Sequence, residues 1–157
     1  MSYALGIKSR LELRGVHPEL VEVVRYAIEV TTQDFRVVDG LRTREEQADL
    51  VARGASRTMN SKHLPQADGY SHAVDLVPVV NGVLRWEWPL IYPIAHAMHI
   101  AAEHHDVPLT WGGVWDRPLL SLASNLLPME VEHYVERRKR IGKTAFLDGP
   151  HYQIGVP

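Results

Sequence analysis

The chain has 157 residues, 45% of them hydrophobic, which is enough for one domain with a buried core and too few for two. Its net charge of −2 gives no basic field for binding nucleic acid, and the lack of cysteine excludes disulfides, thiolate metal sites and a cysteine nucleophile. Because the N-terminus has no signal-peptide pattern and no stretch approaches the roughly 18 apolar residues of a membrane helix, we expect no membrane insertion.

The first half of the chain predicts two helices, a strand and a long loop. Pro18 begins a helix whose apolar residues recur at helical spacing, and residues 35–41 are typical of a strand that enters a turn. Thr43 and Glu46 form a capping-box pattern, which predicts a helix that ends near residue 53. Residues 55–71 are polar and contain Gly and Pro, so we expect an irregular loop.

The middle of the chain predicts a hairpin followed by a helix. Residues 72–77 are a short apolar strand, and Asn81 with Gly82 is a hairpin-type turn. A helix is predicted over residues 90–105, with Pro89 and Pro93 disturbing its first turn.

The C-terminal third predicts two more strands and one more helix. Residues 109–111 and 152–154 are strands, and residues 130–140 indicate a charged, solvated helix in the poorly readable stretch 118–145. Strands and helices are mixed without regular βαβ alternation. We therefore predict an α+β fold, an antiparallel sheet flanked by helices, in a single domain of residues 1–157.

Asp75 is the residue whose position most needs a chemical explanation. A carboxylate inside the apolar strand of residues 73–77 is costly unless it is paired or metal-bound, although a solvated strand end is the alternative. Two histidines and one aspartate, such as His63, Asp75 and His151, are a common ligand set for a catalytic zinc ion. Spacing alone cannot bring His63 and His151 together, and His96 and His99 form a rival pair that is more typical of packing.

Four segments in a fixed order resemble the signature of the peptidase M15 family, which contains VanY-type D,D-carboxypeptidases and phage L-alanyl-D-glutamate peptidase endolysins. Residues 38–47 are similar to its G-x-R-T/S-x-x-x-Q element, and residues 61–75 resemble its S-x-H and G-x-A-x-D elements. Residues 111–116 resemble its glycine–tryptophan stretch, and residues 148–154 its closing D-x-x-H motif. The resemblance covers about residues 17–154 and implies a D-Ala-D-Ala-peptidase/Hedgehog-like fold.

The chain departs from this family pattern in two places. His63 lies twelve residues before Asp75 rather than the usual seven, which indicates an insertion in residues 64–70. His72 is the rival ligand, but in a strand it would face away from Asp75. Residues 117–147 are also longer than the family connection, and a lid or a wall contact is conceivable there.

The resemblance implies roles for eight residues. His63, Asp75 and His151 would hold Zn²⁺, and Asp148 would be the general base and acid. Arg42 would stabilise the oxyanion or bind a substrate carboxylate, and three residues would contact substrate: Ser61, Trp111 and Trp115. Core packing is an equal alternative for the tryptophans, as loop ordering is for Ser61. The acidic loop residues Asp68 and Asp116 could bind a second ion, although solvation is the simpler expectation.

The resemblance also implies the substrate, which is the stem peptide of peptidoglycan. We expect a monomeric endolysin that cleaves the L-alanyl-D-glutamate bond, stays in the host cytoplasm until lysis and reaches the cell wall with a holin-like partner. A D,D-carboxypeptidase is the first alternative, which the missing export segment disfavours. A non-catalytic zinc-bearing domain is the second, which the retained Asp148 disfavours. No separate wall-binding domain is expected.

Overall fold

An antiparallel sheet of five strands forms the centre of the protein, whose computed structural model describes residues 2–157. The strand order is β1-β2-β5-β4, and the short β3 pairs with the far end of β2. The strands are β1 (Phe35–Asp39), β2 (Ala73–Val80), β3 (Val83–Leu84), β4 (Leu109–Trp111) and β5 (His151–Ile154). This order makes β2 and β5 neighbours at the middle of the sheet, although they lie far apart in the chain.

Helices flank the sheet and close the hydrophobic core. The helices are α1 (Ile7–Glu12), α2 (Pro18–Val30), α3 (Arg44–Ala52), α4 (Trp88–His105) and α5 (Leu127–Arg140), with a 3-10 turn at Leu119–Ser121. Helices α2 and α4 pack against each other, and α4 also packs on β2. Within residues 2–157, no helix combines the length and the apolar character needed to cross a bilayer.

The predicted α+β architecture is confirmed, and so are most of its elements. Helix α2 begins at Pro18, and α3 carries the full capping box between Thr43 and Glu46. Asn81 and Gly82 both have positive φ, 51° and 77°, as a two-residue hairpin turn of this kind requires.

One helix was not predicted, and two local expectations needed correction. The short α1 had no recognisable helical pattern, and it is held in place by contacts such as the bond from the Val37 amide to the Ser9 hydroxyl. Helix α4 begins two residues earlier than predicted and continues through Pro93, because its buried face outweighs one missing hydrogen bond. Helix α5 is not simply solvated, since it buries a stripe that contains Leu127, Val131 and Tyr134.

Candidate metal centre

The sheet register brings the two most distant candidate ligands together. Asp75 on β2 lies directly opposite His151 on β5, although 76 residues separate them in the chain. His63 comes from the loop before β2, where its carbonyl accepts a hydrogen bond from the Arg42 amide at 2.9 Å. The backbone hydrogen bonds of the sheet and of this loop therefore bring the side chains of His63, Asp75 and His151 close together.

The three side chains converge on one oxygen atom of Asp75. Nε2 of His63 lies 3.3 Å from Asp75 Oδ1, and Nδ1 of His151 lies 3.2 Å from the same atom. Tetrahedral zinc with ligands at about 2.0–2.2 Å needs ligand atoms about 3.3–3.5 Å apart, so these spacings fit the ion. Of the acidic and histidine groups in residues 2–157, this cluster is the buried one with metal-ligand geometry.

Each imidazole of the cluster has one ring nitrogen that faces away from Asp75, and the hydrogen bond of that nitrogen determines the tautomer of the ring. His63 Nδ1 lies 2.8 Å from the Gly40 carbonyl oxygen, which can only accept, so the ring proton is on Nδ1. His151 Nε2 lies 2.9 Å from Oε1 of Gln153, which can accept a proton on that nitrogen. With the ring protons on these outer nitrogens, the remaining lone pair of each ring faces the Asp75 carboxylate. The buried Nε2 of His63 has no hydrogen-bond partner within residues 2–157. Three facing acceptors repel one another unless a cation lies between them.

The electrostatics of the cluster also favour a cation. Burial alone would raise the pKa of Asp75, but the adjacent imidazoles of His151 and His63 outweigh it and hold this pKa well below its usual range. Burial alone would lower the pKa of His151, whereas the Asp75 carboxylate raises it above its ordinary value. The carboxylate is therefore ionised, and it attracts positive charge to this point.

Asp148 lies beside the cluster on a tightly constrained turn. Its amide donates to the Gly112 carbonyl at 2.8 Å, and its carbonyl accepts from the His151 amide at 3.0 Å. A Cβ at Gly112 would collide with the Asp148 backbone, so only glycine permits this approach. Burial, followed by the charge of Asp75, raises the pKa of Asp148. The turn therefore holds a carboxyl group with increased basicity next to the candidate ligands.

The Arg42 side chain is held in position by contacts with three neighbouring side chains. It is buried and donates to Asp39 through Nε at 3.0 Å and through a second, shorter contact, and to Gln47 Oε1 at 2.6 Å. Its NH2 group also lies 4.0 Å from Oδ2 of Asp75. The guanidinium therefore supports the face of Asp75 that turns away from the histidines, a contact that the sequence did not indicate.

The three residues predicted to contact substrate have different surroundings. Trp111 is fully buried and donates from Nε1 to the Gly149 carbonyl at 2.7 Å, so packing, not a substrate-facing wall, is the role that its position permits. Trp115 is half-buried, and its ring lies 5.2 Å from that of His151. Ser61 accepts from the His63 amide at 3.1 Å and so orders the loop that carries this histidine.

Two functional candidates were missed from the sequence. Gln153 lies two residues after His151 and therefore on the same face of β5, a signal that a search for partners of the ligands would have found. Phe146 stacks on Trp115 at 6.0 Å and is about half exposed, which extends the aromatic surface outward from His151. By contrast, His96 and His99 each contact a backbone carbonyl, of Ser124 and Leu122, as packing histidines do.

Known proteins resemble this chain in both sequence and structure. Residues 1–121 match the sequence model for phage L-alanyl-D-glutamate peptidases. The L-alanyl-D-glutamate peptidase of Escherichia phage T5 is 31% identical over 120 residues, which cover 74% of this chain and 84% of that protein. The crystal structure of Serratia marcescens L-Ala D-Glu endopeptidase ChiX has a TM-score of 0.70 and 32% identity, and the match covers 98% of this chain and 91% of that chain. The family match ends before Asp148 and His151, whereas the structural match extends over nearly the whole chain.

Proposed function

The chain belongs to the phage L-alanyl-D-glutamate peptidase family, and on this premise we propose that it is a zinc endopeptidase of the M15 type. Its substrate is the stem peptide of peptidoglycan, and the bond cleaved joins L-alanine to D-glutamate. The observation that carries the proposal is the convergence of three ligand-type atoms from distant parts of the chain, His63 Nε2, Asp75 Oδ1 and His151 Nδ1.

Zinc is the ion that this donor set suits best. Two imidazoles and one carboxylate are the ligands of many catalytic zinc sites, which keep one position open. The outer hydrogen bonds of Gly40 and Gln153 hold the two rings in the tautomers that an ion needs. When bound, zinc would activate a water molecule and polarise the scissile carbonyl group.

Asp148 acts as the general base in this proposal. Its carboxylate accepts a proton from the attacking water and then returns that proton to the amine of the leaving D-glutamate. The raised pKa of Asp148, caused by burial and by the nearby Asp75, supports this role because it brings the carboxyl group closer to the working pH. The bonds of its backbone to Gly112 and His151 keep the group in position.

Arg42 and the aromatic residues complete the cleft. The contacts of Arg42 with Asp39, Gln47 and Asp75 support a role in holding the carboxylate ligand, and its charge stabilises the developing oxyanion through space. Trp115 and Phe146 form a wall beside His151 against which a peptide stem packs. Ser61 stays a candidate for substrate contact at the mouth of this cleft.

The biological setting follows from the proposed substrate. We propose that residues 1–157 act as one catalytic domain and as a monomer. The enzyme remains in the host cytoplasm until a holin-like partner gives it access to the wall.

Digestion of purified Gram-negative peptidoglycan, with and without a chelator, tests the proposal directly when the fragments are analysed by mass spectrometry. We expect chelator-sensitive release of peptides that begin at D-glutamate, with L-alanine left on the glycan. Release of D-alanine alone would assign the chain to the D,D-carboxypeptidases, and peptides that begin at L-alanine would indicate an amidase. A folded, zinc-loaded sample without any product would favour a binding domain.

A further inference from the structure

A second cluster of two histidines and one aspartate lies outside the site described above. Nε2 of His72 lies 2.8 Å from Oδ2 of Asp68, and Nε2 of His17 lies 3.8 Å from the same oxygen. One ligand-type atom from each of the three residues lies within 4.8 Å of the other two. Asp68 and His72 are only four residues apart, whereas His17 lies far from both in the chain, so the fold brings His17 to the pair.

The backbone around this cluster is held in place before any ligand arrives. The His17 amide donates to the Ser71 carbonyl at 2.9 Å, and the Ser71 amide donates to the Gly15 carbonyl at 2.8 Å. Asp68 uses Oδ1 to accept the Tyr70 amide at 3.0 Å, which leaves Oδ2 directed at the two imidazoles. The three side chains are thus presented from a hydrogen-bonded frame, as ligands of a built site are.

We propose that His17, Asp68 and His72 form a second metal site, which takes a first-row transition ion of the zinc type. Imidazole nitrogens suit zinc, nickel and copper, whereas calcium and magnesium prefer oxygen ligands throughout. The cluster does not share ligands with the Asp75 site, because the two groups have no residue in common and the His72 ring contacts Asp68. The proposal does not depend on the reaction proposed above.

The tautomer of His17 sets the order in which the two sites fill. Its Nδ1 accepts the Glu19 amide at 3.1 Å as the N-cap of α2, so Nε2 carries the ring proton and faces Asp68. An ion can bind Nε2 only if this proton leaves the nitrogen, and a proton moved to Nδ1 breaks the cap. The second site therefore binds more weakly than the Asp75 site, where both lone pairs already face inward.

Occupation of the second site would join the start of α2 to the loop that carries His63. Asp68 lies in that loop, and the His72 amide donates to the Lys62 carbonyl at 2.8 Å, immediately before His63. The ion would thus link the C-terminal part of the loop, residues 68–72, to the start of α2. We expect the second equivalent of zinc to raise the melting temperature further, because only the folded chain presents the three ligands together.

Zinc stoichiometry of the full-length, untagged protein tests this proposal. Metal-free protein is titrated with Zn²⁺ against a chromophoric chelator, and bound zinc is counted by mass spectrometry of the metal. We expect two ions per chain for the wild type and one ion for each of His17→Asn, Asp68→Asn and His72→Ala. His17→Asn is the most informative variant, because asparagine keeps the N-cap and removes the ligand. His104→Ala, which removes a histidine from outside the cluster, should leave two ions.

The outcomes separate this proposal from the proposed enzyme. Asp75→Ala should lose the tighter ion and keep the weaker one. If the three cluster variants bind as much zinc as the wild type, the second site does not exist, whatever the activity of the enzyme. If instead Asp75→Ala retains all its zinc while His72→Ala loses an ion, the second site stands and the metal centre of the proposed enzyme is refuted.

Discussion

Two clusters in this protein have the same composition and very different surroundings. The side chains of His63, Asp75 and His151 are 3%, 20% and 8% exposed. Those of the second cluster are about a quarter exposed for the histidines and 39% for the aspartate: His17, His72 and Asp68. Residue types alone therefore do not distinguish the buried cluster, which we propose as the catalytic metal centre, from the exposed one, whereas burial does.

The more instructive difference is the direction of the ring protons. In the buried cluster, Gly40 and Gln153 take the protons of both imidazoles on the outside, so the lone pairs face inward. In the exposed cluster, the Glu19 amide takes the lone pair of His17, so a proton faces inward. Hydrogen-bond partners outside the cluster thus determine the histidine tautomers, and therefore whether both rings present a lone pair to a metal ion.

The largest expected effect is the loss of activity when the buried cluster loses its ion. A chelator should abolish release of peptides from peptidoglycan, and added zinc should restore it, because the ion activates the nucleophile. His72→Ala, in the exposed cluster, should retain activity at saturating zinc. Fragment release measured by mass spectrometry checks both, and full activity in the presence of the chelator would contradict the buried metal centre.

Asp148→Asn should lower kcat by about 10²–10⁴-fold, the usual contribution of a general base. Bound zinc should remain unchanged, because Asp148 is not among the three converging ligands. The matched control is Asp116→Asn, which removes an exposed carboxylate that is paired with Arg137 and is not among the converging ligands. A loss of less than a few-fold, measured with a soluble stem-peptide substrate, would remove Asp148 from the mechanism.

Gln153→Leu tests whether the outer hydrogen bonds define the buried cluster. Without the acceptor of the His151 Nε2 proton, the ring no longer has a preferred tautomer, and zinc affinity should fall by about 10–100-fold. Gln153→Glu keeps an acceptor and should bind zinc at least as tightly as the wild type. Competition with a chromophoric chelator measures the affinities, and equal values for both variants would show that this partner does not matter.

The smallest expected effect concerns the cap in the exposed cluster. His17→Ala should lower the free energy of unfolding by about 0.5–2 kcal/mol, because α2 loses its side-chain N-cap. His17→Asn should stay close to the wild type, since asparagine caps a helix well. Urea denaturation of metal-free protein compares them, and equal stabilities for both variants and the wild type would mean that the cap contributes nothing.

Much of the fold could be predicted from local patterns. Helix α2 has both an apolar stripe and a proline start, α3 has its capping box, and the turn at Asn81 and Gly82 has the residues that positive φ demands. Helix α1 could not be predicted, because six residues without an apolar stripe depend on packing for their stability.

The sequence by itself determined which residue types were available to the site and in what order. The positions of His63, Asp75, Asp148 and His151 could be proposed from motif order, since histidine and aspartate are residue types that bind zinc or act as a base. The sequence could not show whether Trp111 packs in the core or faces the substrate, because an indole next to a glycine turn is suitable for either role. The structure shows that Trp111 is buried.

Tertiary structure alone decided how those side chains meet. The pairing of β2 with β5 sets Asp75 opposite His151, and the backbone carbonyl of Gly40 orients His63. The same applies to the exposed cluster, whose histidines each have an ordinary local explanation until the loop brings Asp68 between them. Sequence patterns report local periodicity, whereas the direction of a lone pair depends on contacts between residues far apart in the chain.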